Sequence, residues 1–358
     1  MHEKITLKQI AQRLDVSIGT VERAIHDKRD INPQTKKRIL ETIDELGYQP
    51  NKFARSLSVK NLKKIAVIIP RNSYFWQRVR DGVEFAEKEM AYCGTQVEEL
   101  FWEQAEENEI FSFIKRCQEK QYSAIIAYPA SIQQVKPRLE KLTRNVLPIS
   151  FVNDDLPGFN RLFYVGPDNQ IIGQLAGELV GKLTKKTGKC IVFAAVDDLS
   201  LEMTEECRRR VGGFREVMDR DFPDLPIELC TYKSYQESAL QAAIKMITAD
   251  SEISCMYSVD GRLQQIAAAV KQLNREDLLL VGHEISKEVN DYLQEGIVGA
   301  AICQNPFLQG YFSVKCMIEY LIDRKLPSTD KILIGFNIFT KYNTFGNNSY
   351  INDLGEIL

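Results

Sequence analysis

The sequence predicts a small all-α head followed by an α/β body made of two doubly wound parallel-sheet subdomains. Residues 1–60 carry short helical patterns and a surplus of positive charge. From residue 63 onward, apolar runs of strand length alternate with amphipathic segments to about residue 340. That is more strands than one open sheet comfortably holds, so two sheets flanking a cleft are expected.

In the head, Thr6-Leu7-Lys8-Gln9 has the capping-box form, and Leu7, Ile10, Ala11 and Leu14 follow at helical spacing. The helix should stop near Asp15-Val16. Ser17 is placed to cap a second helix with Val21, Ala24 and Ile25 on its apolar face. Asn32-Pro33 then reads as an N-cap followed by a proline in the first turn, Ile39, Ile43 and Leu46 line one face, and Gly47 supplies the stop. Two short helices joined by a tight turn, plus a third, make a helix-turn-helix unit. The segment 1–60 holds twelve Lys/Arg against eight Asp/Glu, or +4, within a chain of net charge −3. A basic module on an acidic body points to a polyanion met at the N-terminal end.

The body's strands are expected at 63–70, 123–128, 148–152, 190–195, 253–259, 278–283 and 298–304, with helices at 76–92, 105–120, 168–184, 202–220, 236–249, 260–273 and 306–323. The unbroken apolar character of these runs suits parallel strands buried on both faces. Gly173, Gly177 and Gly181 recur every fourth residue and are expected to allow close packing of their helix on the sheet. Adjacent acids such as Asp154-Asp155 read as loop or cap residues.

Several chemistries are excluded by what is missing. The eight cysteines form no CxxC and read as core residues, and three histidines give little scope for a metal centre. There is no GxGxxG after the first strand, no GxxxxGK[ST], no GxSxG and no HExxH. No enzyme activity, metal or cofactor is therefore expected. Nothing in the chain is long and apolar enough to span a membrane, and the N-terminus lacks a secretory signal, so a cytoplasmic protein is expected.

The stretch TLKQIAQRLDVSIGTVERAI with INPQTKKRILETIDELGYQPNKFARSL resembles the DNA-binding head of the LacI/GalR (lactose-repressor) family of bacterial regulators. The resemblance implies that Ile18, Gly19 and Arg23 face base edges in the major groove. It implies that Thr6, Ser17, Thr20 and Asn51 belong to the same DNA interface, and that Ala54 and Leu57 approach the minor groove from a hinge helix. The chemistry agrees: arginine pairs bidentately with guanine, hydroxyls suit phosphate oxygens, and an inserted leucine kinks a duplex.

The body resembles periplasmic sugar-binding proteins of type I, the ribose-binding branch most closely in pattern. Val165-Gly166-Pro167-Asp168-Asn169, Arg210-x-x-Gly213-Phe214, Val281-Gly282 and Gln304-x-Pro306 with Gly310 carry that resemblance. It implies a ligand site made by Phe75 and Trp76 as stacking aromatics, with Arg208, Asp260 and Gln304 as polar groups. Asn153 stands where that branch uses Asp, and His283-Glu284 where Phe/Tyr-Asp is common. Planar bidentate groups grip vicinal hydroxyls, and ligands bind at strand ends of open α/β sheets.

The expected organisation is a DNA-binding domain at 1–50, a hinge at 51–61, a ligand-binding and dimerising body at 62–345, and a tail at 346–358. Within the body, the first subdomain takes 62–164 and part of 284–320, and the second takes 165–283 and part of 321–345. The expected function is a transcriptional regulator, in the first instance a repressor, acting as a homodimer on a pseudo-palindromic DNA operator under control of a sugar-like effector. Open alternatives are a constitutive DNA-binding protein whose body only dimerises, a sugar-acting α/β enzyme and a solute-binding protein.

Overall fold

The structure is a computed structural model that describes residues 5, 7–25, 31–46, 62–71, 73–102, 112–113, 115–117, 119–129, 140, 147–184, 187–196, 203–233 and 238–344.

The head contains α1 (Leu7–Leu14), α2 (Ile18–Ile25) and α3 (Pro33–Glu45). Ile10, Ala11, Val21, Ala24 and Ile39 form its core, the apolar positions expected from helical spacing. Asp15 takes a left-handed conformation (φ 54°) and ends α1. The Asn32 side chain accepts from the amides of Gln34 and Thr35, capping α3 ahead of Pro33. Thr6 and Gly47 lie outside the described residues.

The first body sheet has the order β11-β5-β4-β3-β1-β2, built from β1 (Lys63–Pro70), β2 (Thr95–Trp102), β3 (Ala124–Ala127), β4 (Ile149–Val152), β5 (Tyr164–Gly166) and β11 (Lys331–Leu333). The second has the order β12-β10-β9-β8-β6-β7, from β6 (Lys189–Val196), β7 (Ile227–Lys233), β8 (Ile253–Ser258), β9 (Leu279–His283), β10 (Ala300–Cys303) and β12 (Asn337–Phe339). Every pairing is parallel except β10 with β12.

Helices α4 (Tyr74–Glu89) and α10 (Pro306–Asp323) pack together and belong to the first sheet's core. The second is flanked by α5 (Asn169–Leu183) and α6 (Glu205–Asp221) on one face, and by α7 (Ala239–Ala249), α8 (Leu263–Gln272) and α9 (Lys287–Glu295) on the other. The chain crosses between the sheets three times: after β5, after β10, and between β11 and β12. The pairings divide the two shared stretches. Residues 284–303 join the second subdomain because β10 pairs with β9, and 321–333 join the first because β11 pairs with β5. The hinge and the tail beyond residue 344 lie outside the described residues.

The glycines at 173, 177 and 181 do allow close approach, but to a helix rather than to the sheet. A methyl group at Gly173 would sit 2.1 Å from the Arg210 carbonyl oxygen, and one at Gly213 would sit 2.1 Å from that of Gln170. This contact locks α6 against α5 and fixes where Arg210 lies. Among the described residues no helix is long and apolar enough to cross a membrane.

Candidate functional site

At the head, the exposed residues Ser17, Ile18 and Gly19 open α2. Ser17 Oγ accepts the Thr20 amide at 3.1 Å, closing the helix start as its sequence position suggests. The hydroxyls of Ser17 and Thr20 lie 2.8 Å apart, and Arg23 Nη2 donates to Thr20 Oγ1 at 3.3 Å. Ser17, Thr20 and Arg23 therefore run as one polar line down α2, three residues apart, with the apolar face turned onto α1 and α3. Asn51, Ala54 and Leu57 lie outside the described residues.

The second candidate site lies between the two sheets, at strand ends. Strand β4 ends at Val152, and Asn153 turns the chain in a left-handed conformation (φ 67°); Glu284 does the same after β9 (φ 68°). Asparagine tolerates that region, but glutamate rarely adopts it.

Arg210 is the hub. Although charged, its side chain is only 1% exposed. Its Nε donates to Asn169 Oδ1 at 3.0 Å, Nη1 to the Val259 carbonyl at 3.0 Å, and Nη2 to Gln304 Oε1 at 2.7 Å. Nη2 also meets Glu206 at 2.5 Å. Gln304 passes the chain on, donating from Nε2 to Glu284 Oε1 at 2.7 Å.

Glu206 faces the other subdomain as well. Its Oε2 accepts from Asn153 Nδ2 at 3.1 Å and from the Tyr128 hydroxyl at 3.4 Å, while its backbone amide donates to Asp154 Oδ2 at 3.1 Å. Tyr128, Asn153 and Asp154 leave the first sheet, whereas Glu206 and Arg210 sit on α6 of the second. A continuous polar chain thus crosses the cleft and ties the subdomains together. Burial, reinforced by the Glu206 charge, pushes the Asp154 carboxyl up to about 8. Burial raises Glu284 to about 7, against the opposing pull of the Gln304 hydrogen bond and Arg210. His283, buried behind them, bonds the Tyr257 hydroxyl through Nε2 at 2.8 Å, and burial holds its pKa well below the usual imidazole range.

The expected ligand residues fare unequally. Gln304 and Asn153 enter the network directly. Trp76 is buried in the first core and packs on Tyr128 with ring centroids 4.7 Å apart, and Phe75 meets Trp76 edge-on at 4.9 Å. The aromatic pair therefore backs the cleft through Tyr128. Asp260 lies at the end of β8, where its carboxylate accepts from the Ala195 amide, the Tyr232 hydroxyl and the Arg262 amide. Those three bonds tie its own turn to β6 and β7.

Arg208 is the correction. Its side chain is half exposed, pairs with Glu205 and donates to the Met203 carbonyl, so it does not join Gln304; Arg210, two residues on and turned to the buried side of the helix, does. The signal was in the helical register. Cys207, Arg210, Val211, Phe214 and Met218 share the buried stripe of α6, which leaves Arg208 outside it. The sequence reading also passed over Glu206, Tyr128, Asp154 and Asn169. Asp154 reads in the sequence as a loop acid but is buried at the subdomain contact.

Comparison with known proteins locates both regions. A family profile described as periplasmic binding protein domain matches residues 65–325, and one described as bacterial regulatory proteins, lacI family, matches residues 6–51. Catabolite control protein A of Priestia megaterium is 37% identical over 81 residues, which is 22% of this chain and 24% of that protein. Its namesake in Staphylococcus aureus is 26% identical over 345 residues, covering 92% of this chain and 96% of that one. Among solved structures, a carbohydrate transporter solute binding protein of Agrobacterium radiobacter in complex with D-arabinose superimposes with a TM-score of 0.71 at 18% identity, covering 80% of this chain and 97% of its own. That likeness concerns the fold.

Proposed function

Because the chain belongs to the periplasmic binding protein domain family and carries a lacI-family regulatory head, we propose that it is a sequence-specific DNA-binding transcriptional regulator whose operator affinity is set by a small polar ligand in the cleft. The supporting observation is the buried polar chain from Tyr128 and Asn153 through Glu206 and Arg210 to Gln304 and Glu284. Buried polar and charged groups are tolerated only when paired, as these are, and they sit at strand ends, where ligands bind in such folds. A ligand that joins or replaces the bonds made by Glu206 favours one arrangement of the two subdomains over another. The connection to residues 51–61 carries that difference to the head. Homodimerisation, repression and action on DNA in the cytoplasm complete the reading.

Selection of bound sequences from a random DNA pool, followed by titration with and without a panel of small polyhydroxy compounds, tests both halves. Arg23→Ala is expected to weaken specific binding by about 1–3 kcal/mol and to relax preference at one base per half-site. An equal loss on every sequence makes Arg23 a phosphate contact. Operator affinity that no small molecule alters favours a constitutive DNA-binding protein instead.

A further inference from the structure

We propose, resting on that reading of the cleft, that the ligand is an amino sugar whose protonated amine is held between Asn153, Glu206 and Glu284.

Among the described residues the polar chain has acceptors in surplus and its one fully buried positive charge is already committed; Arg78, which shares Tyr74 and Cys303 as neighbours with Glu284, pairs with Asp81. Three carboxylates (Asp154, Glu206 and Glu284) share the hydrogen-bonded chain with a single buried guanidinium, that of Arg210. All three nitrogens of that guanidinium have protein partners. Arg208 and Arg209, on the outer face of α6, are half exposed and both pair with Glu205. Asp260, a fourth carboxylate beside the site, accepts three protein hydrogen bonds and faces the charge of Arg262.

An independent observation concerns Asn153. Its amide nitrogen donates to Glu206, but its amide oxygen is buried and accepts no hydrogen bond among the described residues. The residue as a whole is 3% exposed. A buried acceptor left open is costly, and a ligand that brings a donor relieves it.

A hydroxyl brings one donor and no charge. An ammonium brings three donors and the positive charge that the carboxylates lack. Without a ligand the carboxylates relieve their excess by holding protons, which agrees with the upward displacement of Asp154 and Glu284. An arriving ammonium makes that proton unnecessary. Binding of an amine near pH 7 is therefore expected to expel a proton, and binding of a neutral sugar is not.

The test is calorimetric titration of the full chain with D-glucosamine, D-galactosamine and D-mannosamine, each beside its parent sugar and its N-acetyl form, in two buffers of different ionisation enthalpy. At least one amine should bind tenfold or more tightly than both neutral counterparts, with proton release. Glu206→Gln and Glu284→Gln should each reduce that preference at least tenfold. Glu284→Gln keeps the test open should Glu206→Gln, which leaves Arg210 without its carboxylate, fail to fold. Neutral sugars binding as tightly as the amines overturns this proposal and leaves the regulator reading intact. An amine preference that survives in both variants also overturns it, because general attraction to an acidic body then explains the preference. No binding by either class overturns the proposal, and the ligand-controlled reading falls with it only if operator affinity is also indifferent to the whole panel of polyhydroxy compounds.

Discussion

The two subdomains use one packing device and line the cleft with different chemistry. In the first, a methyl group at Gly82 would sit 2.0 Å from the Phe307 carbonyl, and one at Gly310 would sit 2.0 Å from that of Val79, so α4 and α10 touch backbone to backbone. In the second, Gly173 and Gly213 do the same for α5 and α6. Each pair is a reciprocal glycine contact, and each helix pair covers its sheet. From this shared frame, the first subdomain presents Tyr128, Asn153 and the Asp154 carboxyl, with Trp76 buried behind Tyr128, while the second presents Glu206 and Arg210. Packing is thus common to both halves, and the ion pair sits on one of them.

If the Glu206–Arg210 ion pair of the second subdomain holds the cleft together, the largest effect should come from its hub. Arg210→Met removes the partner of Glu206 and leaves Asn169, Gln304 and the Val259 carbonyl without their donor. Breaking a buried pair from one side typically costs about 3–5 kcal/mol, and urea unfolding should register a loss of that size. Arg208→Ala, on the same helix but half exposed, should stay within about 0.5 kcal/mol. Similar losses from the two variants would mean that α6 is not anchored through Arg210.

The shared packing is tested next. Gly82→Ala and Gly173→Ala should each destabilise by about 1–3 kcal/mol, because a methyl group meets backbone that cannot turn aside. Near-equal losses support the equivalence of the two helix pairs. A gap well above 1 kcal/mol would show that one pair can slide apart and the other cannot.

A smaller effect separates the subdomains by pH. Burial lifts Asp154 of the first subdomain from 3.8 to about 8 at its contact with the Glu206 amide. The folded protein holds a proton there that the unfolded chain has already released, so this group's contribution is complete at acid pH and is lost as the pH rises through about 8. His283 works in the other direction: burial keeps it neutral, so its contribution is present above the ordinary imidazole value of 6.5 and falls away under more acid conditions. Glu284, raised to about 7, acts in the same direction as Asp154 but is exhausted above that pH. Between about pH 7 and 8 the unfolding temperature should therefore fall through Asp154, and Asp154→Asn should flatten that slope. An unchanged slope would exclude Asp154 as its source.

Much of this was legible in the sequence, for reasons that differ by element. Strands β1, β3, β4, β6, β8, β9 and β10 are continuous apolar runs in the interior of their sheets. The strands that escaped notice are β2 and β7, at sheet edges, together with the three-residue strands β5, β11 and β12. TQVEELFW and IELCTYK mix charge into the pattern because an edge strand need not be apolar throughout. Membership of the polar chain was legible where one residue ends one strand, as with Gln304 and Asn153. It was not legible at Arg208-Arg209-Arg210, where residue type alone cannot choose among three arginines and only the buried stripe of α6 can. Tyr128 and Glu206 escaped because their roles depend on a contact between subdomains, which no local pattern encodes.

The smallest prediction concerns two neighbours on α6. Gly212 and Gly213 are adjacent and both helical, so any purely local cost of glycine is the same for each. Their surroundings are not. A methyl group at Gly213 would lie 2.1 Å from the Gln170 carbonyl and 3.0 Å from the Gln174 amide, whereas at Gly212 the nearest atom is Gln170 Oε1 at an ordinary 3.6 Å. Gly212→Ala should therefore stabilise the body by about 0.5–1 kcal/mol, the usual gain from replacing an exposed helical glycine. Gly213→Ala should destabilise it, because the helices must move apart and carry Arg210 away from Asn169. The sign change is read in a single pair of urea titrations. If both variants gain stability, α6 can shift without penalty, and the placement of Arg210 does not depend on the glycine contact.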